Sequence, residues 1–402
     1  MEPATPGLIT APAAAEAARA LAPLLPPSLR PVFDRTFIRS DRLYDEFVTR
    51  LALGIVSDTG LEKAAHDPGT AGEIVARAGL DTDRTLVPVD WLLRRLAARG
   101  HVHRIPGSPS RFQVAASLRS LDPAIVRDAQ LAEDASWLPS YVLAETVARD
   151  YPAFLRGERA GEDVLFSPAR LRLWLEFFSN DNGYYVVNNR VGALAAAAWL
   201  PAGTARILEI GGGLGSAALA LLAQLEAEGR AQDIAEYRFT DVVPVFLRRG
   251  FSALERRFPG SAWLRSAPLD MNRPFAGQEI PAGAFTMIYA VNTLHVARDL
   301  DATLAEVRES LAPGGMLVLG ECVRLIPDDT VTAEFVFNLL ESFRAPVLHP
   351  VYRPNGGFLT PEQWRDALRA AGFAEIESLP DLDRLRGDFP HFSVVALGAR
   401  RR

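Results

Sequence analysis

One glycine-rich turn concentrates the chemistry of this sequence. Ile207-Leu-Glu-Ile-Gly-Gly-Gly-Leu-Gly215 is an apolar run of the buried-strand type that passes directly into glycines and then into an alanine-rich helical pattern. Glycine is needed where backbone turns tightly and a ligand comes within contact distance, because a Cβ would block the approach. Gly211, Gly213 and Gly215 depart from the Gly-x-Gly-x-x-Gly of dinucleotide sites. Position 216 is serine, which displaces the glycine that would face a pyrophosphate, so a ligand without phosphate suits this turn better. Of the six histidines, His295 and His349 lie in segments that could reach such a site, and imidazole is well matched to proton transfer near neutral pH. A polar-aromatic stretch, Ser179-Asn-Asp-Asn-Gly-Tyr-Tyr-Val-Val-Asn-Asn189, precedes the turn. It sets Tyr184 and Asn188, and Tyr185 and Asn189, four residues apart, the spacing of one helical face.

Such residues must be held at strand ends, and from Ala205 onward the hydrophobic period alternates accordingly. Strands are expected at Arg206 to Ile210, Glu236 to Asp241, Trp263 to Leu269, Phe285 to Val291, Met316 to Glu321, Ala374 to Ser378 and Phe392 to Leu397. Helices are expected between them at Ser216 to Glu228, Val245 to Phe258, Leu300 to Leu311 and Pro361 to Ala371. Alternation of this kind predicts an α/β fold with a doubly wound, mostly parallel sheet.

The N-terminal part reads differently. Residues 1–30 are rich in alanine and proline and are expected to form a mobile arm with one short helix. Residues 31–118 read as helix, turn, helix and a two-stranded wing around Pro106-Gly107-Ser108-Pro109, a winged-helix-like, mainly helical domain. The helix from Pro88 to Ala98 carries Asp90, Trp91 and several leucines, which suits packing or dimerisation better than DNA. Residues 119–204 read as a helical cap or linker and 205–402 as the catalytic domain.

Composition bounds the partners. A formal net charge of -6 offers no footprint for nucleic acid, so a small-molecule substrate is the expectation. No uncharged apolar run approaches the ~20 residues that span a bilayer. The start Met-Glu-Pro-Ala-Thr-Pro lacks the basic region of a secretory signal, and a cytoplasmic protein is the simplest expectation. A single cysteine, Cys322, excludes an intramolecular disulfide and a multi-cysteine metal site. No metal is expected, since carboxylates are scattered and no His/Asp pair has helix spacing.

On its glycine turn and strand ends, the segment from about 205 to 398 resembles the class I S-adenosylmethionine (SAM) dependent methyltransferase superfamily. The resemblance implies a seven-stranded Rossmann-like sheet with SAM as cofactor. It implies that Glu209 organises the loop and the amino-acid arm of SAM, beside Gly211, Gly213 and Gly215. Asp241 in Phe239-Thr-Asp241 would receive the ribose hydroxyls, and Asp270 and Met271 in Leu269-Asp-Met271 would flank the adenine. Asn292 in Ala290-Val-Asn-Thr-Leu-His295 and the turn Pro313-Gly-Gly315 are further family features.

Two chemistries then compete with a binding role. The stretch Leu348-His-Pro-Val-Tyr-Arg-Pro-Asn-Gly-Gly-Phe-Leu-Thr-Pro-Glu-Gln-Trp364 resembles the loop before the last helix in methyltransferases of polyketide and nonribosomal peptide assembly. That implies methyl transfer in specialised metabolism, with His295 or His349 as base. Tyr184-Tyr-Val-Val-Asn-Asn189 instead resembles the azetidine-2-carboxylate synthases, which cyclise SAM as sole substrate and expel methylthioadenosine. Under that alternative Tyr184, Tyr185, Asn188 and Asn189 form a lid of aromatic faces and amide acceptors over the sulfonium. A non-catalytic SAM-binding module is the third reading. A homodimer is expected from the apolar N-terminal helices, as related winged-helix extensions pair subunits.

Overall fold

The computed structural model describes residues 8–389 and 392–402. The first residues of the expected N-terminal arm, 1–7, lie outside them. The described chain divides into two compact units, neither of which is continuous in sequence.

The first unit is assembled from residues 8–19, Phe33–Phe177 and Asp328–Arg344. Helix α1 (Ala11–Leu21) begins at its margin and α2 (Arg35–Asp58) is its longest element, started by the Asp34 carboxylate accepting from Phe37 N–H. Helix α3 (Ala71–Arg77) opens with a capping box in which Thr70 and Glu73 satisfy each other's backbone N–H. Helix α4 (Thr82–Ala98) starts a turn and a half before the expected Pro88. Proline commonly begins helices, but here Asp81 accepts from Arg84 N–H and supplies the start, leaving Pro88 inside the helix. The hairpin β1 (His103–Ile105) and β2 (Arg111–Gln113) follows. Trp91, Leu92, Leu93 and Leu96 of α4 are buried, and Trp91 Nε1 donates to the buried Glu334 at 3.0 Å. The face read as a packing surface therefore lies in the core of its own unit. Helices α5 (Pro123–Glu133) and α6 (Leu138–Leu155) complete the frame.

The second unit holds residues Ala20–Val32, Phe178–Pro327 and Ala345–Arg402. Helix α7 (Val186–Trp199) leads into β3 (Ala205–Glu209), α8 (Ser216–Ala227), β4 (Ile234–Asp241), α9 (Pro244–Arg257), β5 (Leu264–Pro268) and β6 (Phe285–Val291). Then come α10 (Leu300–Ser310), β7 (Leu311–Cys322), α11 (Pro361–Ala370), β8 (Phe373–Leu379) and β9 (Val394–Arg401). The seven strands lie in the order β5-β4-β3-β6-β7-β9-β8. The first five run parallel, and β9 and β8 add antiparallel pairs. Central strands buried on both faces need near-continuous apolar runs, which β6 supplies as Phe-Thr-Met-Ile-Tyr-Ala-Val.

Two local expectations are corrected. Strand β7 begins at Leu311 rather than Met316. Its register jumps from Leu311 opposite Phe285 to Met316 opposite Met287, so the Pro313-Gly-Gly315 turn is an outward bulge within the strand. Helix α7 begins at Val186, so Tyr184 and Tyr185 occupy the turn before it and not a full helical face shared with Asn188 and Asn189.

Candidate active site

Strand order reverses between β3 and β6, and the carboxyl ends of strands flanking such a point form a natural ligand crevice. The chain after β3 makes that crevice with main chain. Gly211, Gly213 and Gly215 have φ of 66°, 58° and 82°, a left-handed region costly to other residues. Gly212 resists substitution for another reason: a Cβ there would lie 2.1 Å from the Phe239 ring, so ring or backbone would have to shift. At Gly213 a Cβ would meet nothing within 4 Å, so the loop faces open space at this residue. The turn is pinned by Gly212 N–H donating to Thr240 O at 2.8 Å and Gly215 N–H to Gly212 O at 2.9 Å.

Two carboxyl groups lie near this loop, but only Asp241 bonds it; Glu209, expected to organise the loop, is engaged by the Tyr237 hydroxyl instead. Asp241, 6% exposed at the end of β4, accepts Gly213 N–H at 2.9 Å on Oδ2 and Val243 N–H at 2.7 Å on Oδ1. Burial raises its pKa, opposed by these two bonds. Each oxygen keeps a second lone pair, so a pair of ligand hydroxyls can still be received there. Glu209, 1% exposed, accepts the Tyr237 hydroxyl at 3.0 Å, and burial pushes its carboxyl up to about 8. Tyr185 stands near the same charges: desolvation raises its phenol, and Glu209, Cys322 and Asp241 add to the effect.

The opposite side of the crevice is made by side chains from β6 and β7. His295 sits in the one-turn 3-10 helix Leu294–Val296 just after β6, is 4% exposed, and brings Nδ1 to 2.8 Å from Glu321 Oε2. Glu321 is fully buried near the end of β7. With Nδ1 directed at a carboxylate, the neutral ring carries its proton there and keeps Nε2 as the basic atom. Phe358 lies against the imidazole, ring centroids 4.3 Å apart. Asn292, with φ of 48°, accepts Cys322 N–H on Oδ1 while its own N–H donates to Gly320 O, tying the two strand ends together.

The polar stretch before α7 closes onto the start of α8. Asn180 Nδ2 donates to Ser216 O at 2.8 Å, and Asn189 Nδ2 donates to Asn180 Oδ1 at 2.8 Å. Asn188 turns the other way, its Nδ2 donating to Cys322 Sγ at 3.0 Å. Asn188 Oδ1, Asn189 Oδ1, Tyr289 Oη and Glu321 Oε1 are buried polar atoms with no hydrogen-bond partner among the described residues. Such atoms are costly to leave unmet and fit a polar ligand of this crevice. Asp270 and Met271 follow β5; the Asp270 carboxylate caps Asn272 N–H at 2.9 Å and Met271 O accepts the Thr303 hydroxyl. His349 is placed in its own loop, stacked on Tyr352 at 3.6 Å and accepting Val351 N–H on Nδ1.

Comparison with known proteins agrees with this geometry. Residues 208–317, from β3 through the start of β7, match the family model described as a methyltransferase domain. This segment is a methyltransferase domain. SAM is the cosubstrate of such domains. The chain is 31% identical over 273 residues to polyketide synthase ThaQ of Burkholderia thailandensis, covering 63% of this chain and 12% of that protein. It is 28% identical over 307 residues to highly reducing polyketide synthase 2 of Gibberella zeae, covering 75% of this chain and 11% of that one. The chain thus spans about a tenth of the length of these relatives. In fold it is similar to the CurJ carbon methyltransferase, with TM-score 0.74, 22% identity and coverage of 96% and 99% of the two chains. The DszA carbon methyltransferase gives TM-score 0.72, 24% identity and coverage of 95% of each chain.

Glu321 was not among the residues singled out by sequence, although a lone acid closing the apolar run Met-Leu-Val-Leu-Gly-Glu was a usable signal. Phe358 and Arg353 lie in the stretch Leu348–Trp364 that carries the resemblance but were not singled out, being loop residues whose partners lie far away in sequence. Among the described residues no group of three or more His, Cys, Asp or Glu could hold a metal ion, and no helix is long and apolar enough to cross a membrane.

Proposed function

We propose that this chain is a SAM-dependent carbon methyltransferase of polyketide-type metabolism, acting on the acidic carbon of a small acyl acceptor. The observation that carries the reading is the buried His295–Glu321 pair, 2.8 Å apart, beside the glycine turn. A carbon nucleophile must lose a proton before it can attack, and a carbon between two carbonyls is acidic enough for an imidazole to serve as base. Glu321 holds Nδ1–H, so His295 Nε2 takes the proton and the negative charge passes onto the acceptor's carbonyl oxygens. Bound SAM supplies an electrophilic methyl group on a sulfonium. The acceptor C–H bond breaks onto His295, a carbon–methyl bond forms, and S-adenosylhomocysteine leaves. Gly211, Gly213, Gly215, Asp241 and Glu209 would hold the cofactor, with Asp270 and Met271 at its adenine side. Tyr185, Asn188 and Asn189 would exclude water from the reacting carbon. The kinship with polyketide synthases and the fold shared with two carbon methyltransferases support this over SAM cyclisation. A winged-helix role for residues 31–118, a homodimer and a cytoplasmic location belong to the same reading.

The test is to incubate the protein with SAM and a β-ketoacyl thioester and to follow both products by mass spectrometry. A C-methylated thioester with equimolar S-adenosylhomocysteine is expected, and His295→Ala is expected to lower kcat by about 10²–10⁴-fold with SAM affinity retained. Methylthioadenosine formed from SAM alone would replace this reading with cyclisation.

A further inference from the structure

A buried cation stands behind the base. Arg353 is 1% exposed, and its guanidinium donates Nη1–H to Ala297 O at 2.7 Å and Nη2–H to His295 O at 2.8 Å. These carbonyls lie at the end of the turn Leu294–Val296 that carries the imidazole, where main-chain acceptors have no partner along the helix. Both bonds go to carbonyl oxygens, and the Asp299 and Asp301 carboxylates are near enough to offset part of the cost of burying the charge. The segment presenting Arg353 is itself fastened. Its main chain exchanges two hydrogen bonds with His349, at 2.9 and 3.0 Å, and the Tyr352 hydroxyl donates to Asp301 Oδ1 at 2.6 Å. Val347 N–H donates to Arg298 O at 2.7 Å, close to the same turn. Five residues beyond Arg353, Phe358 places its ring against His295.

We propose that Arg353 is a positioning residue for the reaction: it fixes the turn bearing His295 so that the imidazole stays engaged with Glu321 while Nε2 faces the acceptor carbon. The proposal rests on the reading of His295 as the base. His295 is then held at three points: Nδ1 by Glu321, the ring face by Phe358, and the main chain by Arg353. A planar guanidinium spans two carbonyls with fixed geometry, whereas a lysine ammonium is a point donor on a flexible stem and cannot reproduce that bridge. His349, in turn, serves through its backbone, which shapes the loop that delivers Arg353.

The experiment compares Arg353→Ala, Arg353→Lys and His295→Ala for kcat, acceptor KM, SAM affinity by calorimetry and rescue by millimolar guanidinium. For Arg353→Ala, kcat is expected to fall about a hundredfold, the scale of a small misplacement of a reacting group. SAM affinity and KM should stay within about twofold, and added guanidinium should restore part of the rate. In the His295→Ala background the arginine substitution should cause no further loss. Should the alanine variant fail to fold, Arg353→Lys carries the test, with reduced kcat and unchanged SAM affinity expected. Wild-type kcat in a folded Arg353 variant, or kcat and SAM affinity falling together without guanidinium rescue, would overturn the proposal. If His295→Ala itself kept the wild-type rate, the base assignment would fail instead, and the two failures are thereby distinguished.

Discussion

At the ends of β3 and β4 the crevice is made by main chain, while at the ends of β6 and β7 it is made by side chains. On the first side the polar groups are satisfied within the protein: Asp241 holds two backbone N–H groups and Glu209 holds a tyrosine hydroxyl. On the second side Glu321 Oε1 and Tyr289 Oη, with Asn188 Oδ1 of the neighbouring α7, have no hydrogen-bond partner among the described residues. A preformed loop selects a ligand by shape and needs little rearrangement, whereas buried polar atoms left unmet fit a polar ligand that completes their hydrogen bonds. The division matches a reaction in which one partner is gripped and the other is transformed.

The largest effect should come from the side-chain half. Glu321→Gln keeps the shape of the pair but replaces an acceptor with a group that can present N–H to Nδ1, favouring the tautomer whose Nε2 is protonated. The kcat of methyl transfer should drop by about 10²–10³-fold, with SAM affinity nearly unchanged. A loss of SAM binding equal to the loss of rate would erase the contrast between the two halves. Next come paired substitutions in the main-chain half. Gly212→Ala places its Cβ 2.1 Å from Phe239, which forces ring or backbone to move, at a cost of about 1–3 kcal/mol. Gly213→Ala meets no protein atom and costs only its left-handed φ, about 1–2 kcal/mol. Thermal unfolding should rank Gly212→Ala as the less stable variant. SAM titration should show that Gly213→Ala loses proportionally more affinity than stability, because its new methyl meets no protein atom and would crowd only a ligand at the loop. Asp241→Asn follows, since an amide can accept from only one of the two N–H groups now held. A loss of about 1–3 kcal/mol in SAM affinity is expected, read by calorimetry.

The same division decides how much was legible in advance. The glycine turn, Asp241 and the alternation of strands are local patterns, and each stands where its spacing placed it, with the seven-stranded sheet as anticipated. His295 was visible as a candidate but its partner was not, because Glu321 lies 26 residues away and only the parallel pairing of β6 with β7 brings them together. Arg353 is further removed, reaching His295 O from 58 residues along the chain. The start of α4 was misplaced because Pro88 is a strong local signal overridden by Asp81 and by a buried helix face. Tertiary partners of loop side chains leave no periodicity in the sequence, so the side-chain half of the crevice had to be seen.

The smallest effect on rate, and the most direct probe of the buried acid at the end of β3, concerns Glu209. Its carboxyl is raised from 4.5 to about 8, chiefly by desolvation, with the nearby Asp241 adding and the Tyr237 hydroxyl opposing. Between these values the folded chain retains a proton that the unfolded chain has released. Stability is therefore fullest below about pH 4.5 for this group and declines as pH rises towards 8, by at most about 1.4 kcal/mol per pH unit for one proton. Glu209→Gln carries no such proton. The difference in unfolding free energy between wild type and variant, measured in urea at several pH values from 5 to 8, should shift in favour of the variant as pH increases. A difference that stayed flat across that range would mean that Glu209 is ionised in the folded protein, a buried carboxylate held against the Tyr237 hydroxyl rather than a neutral acid.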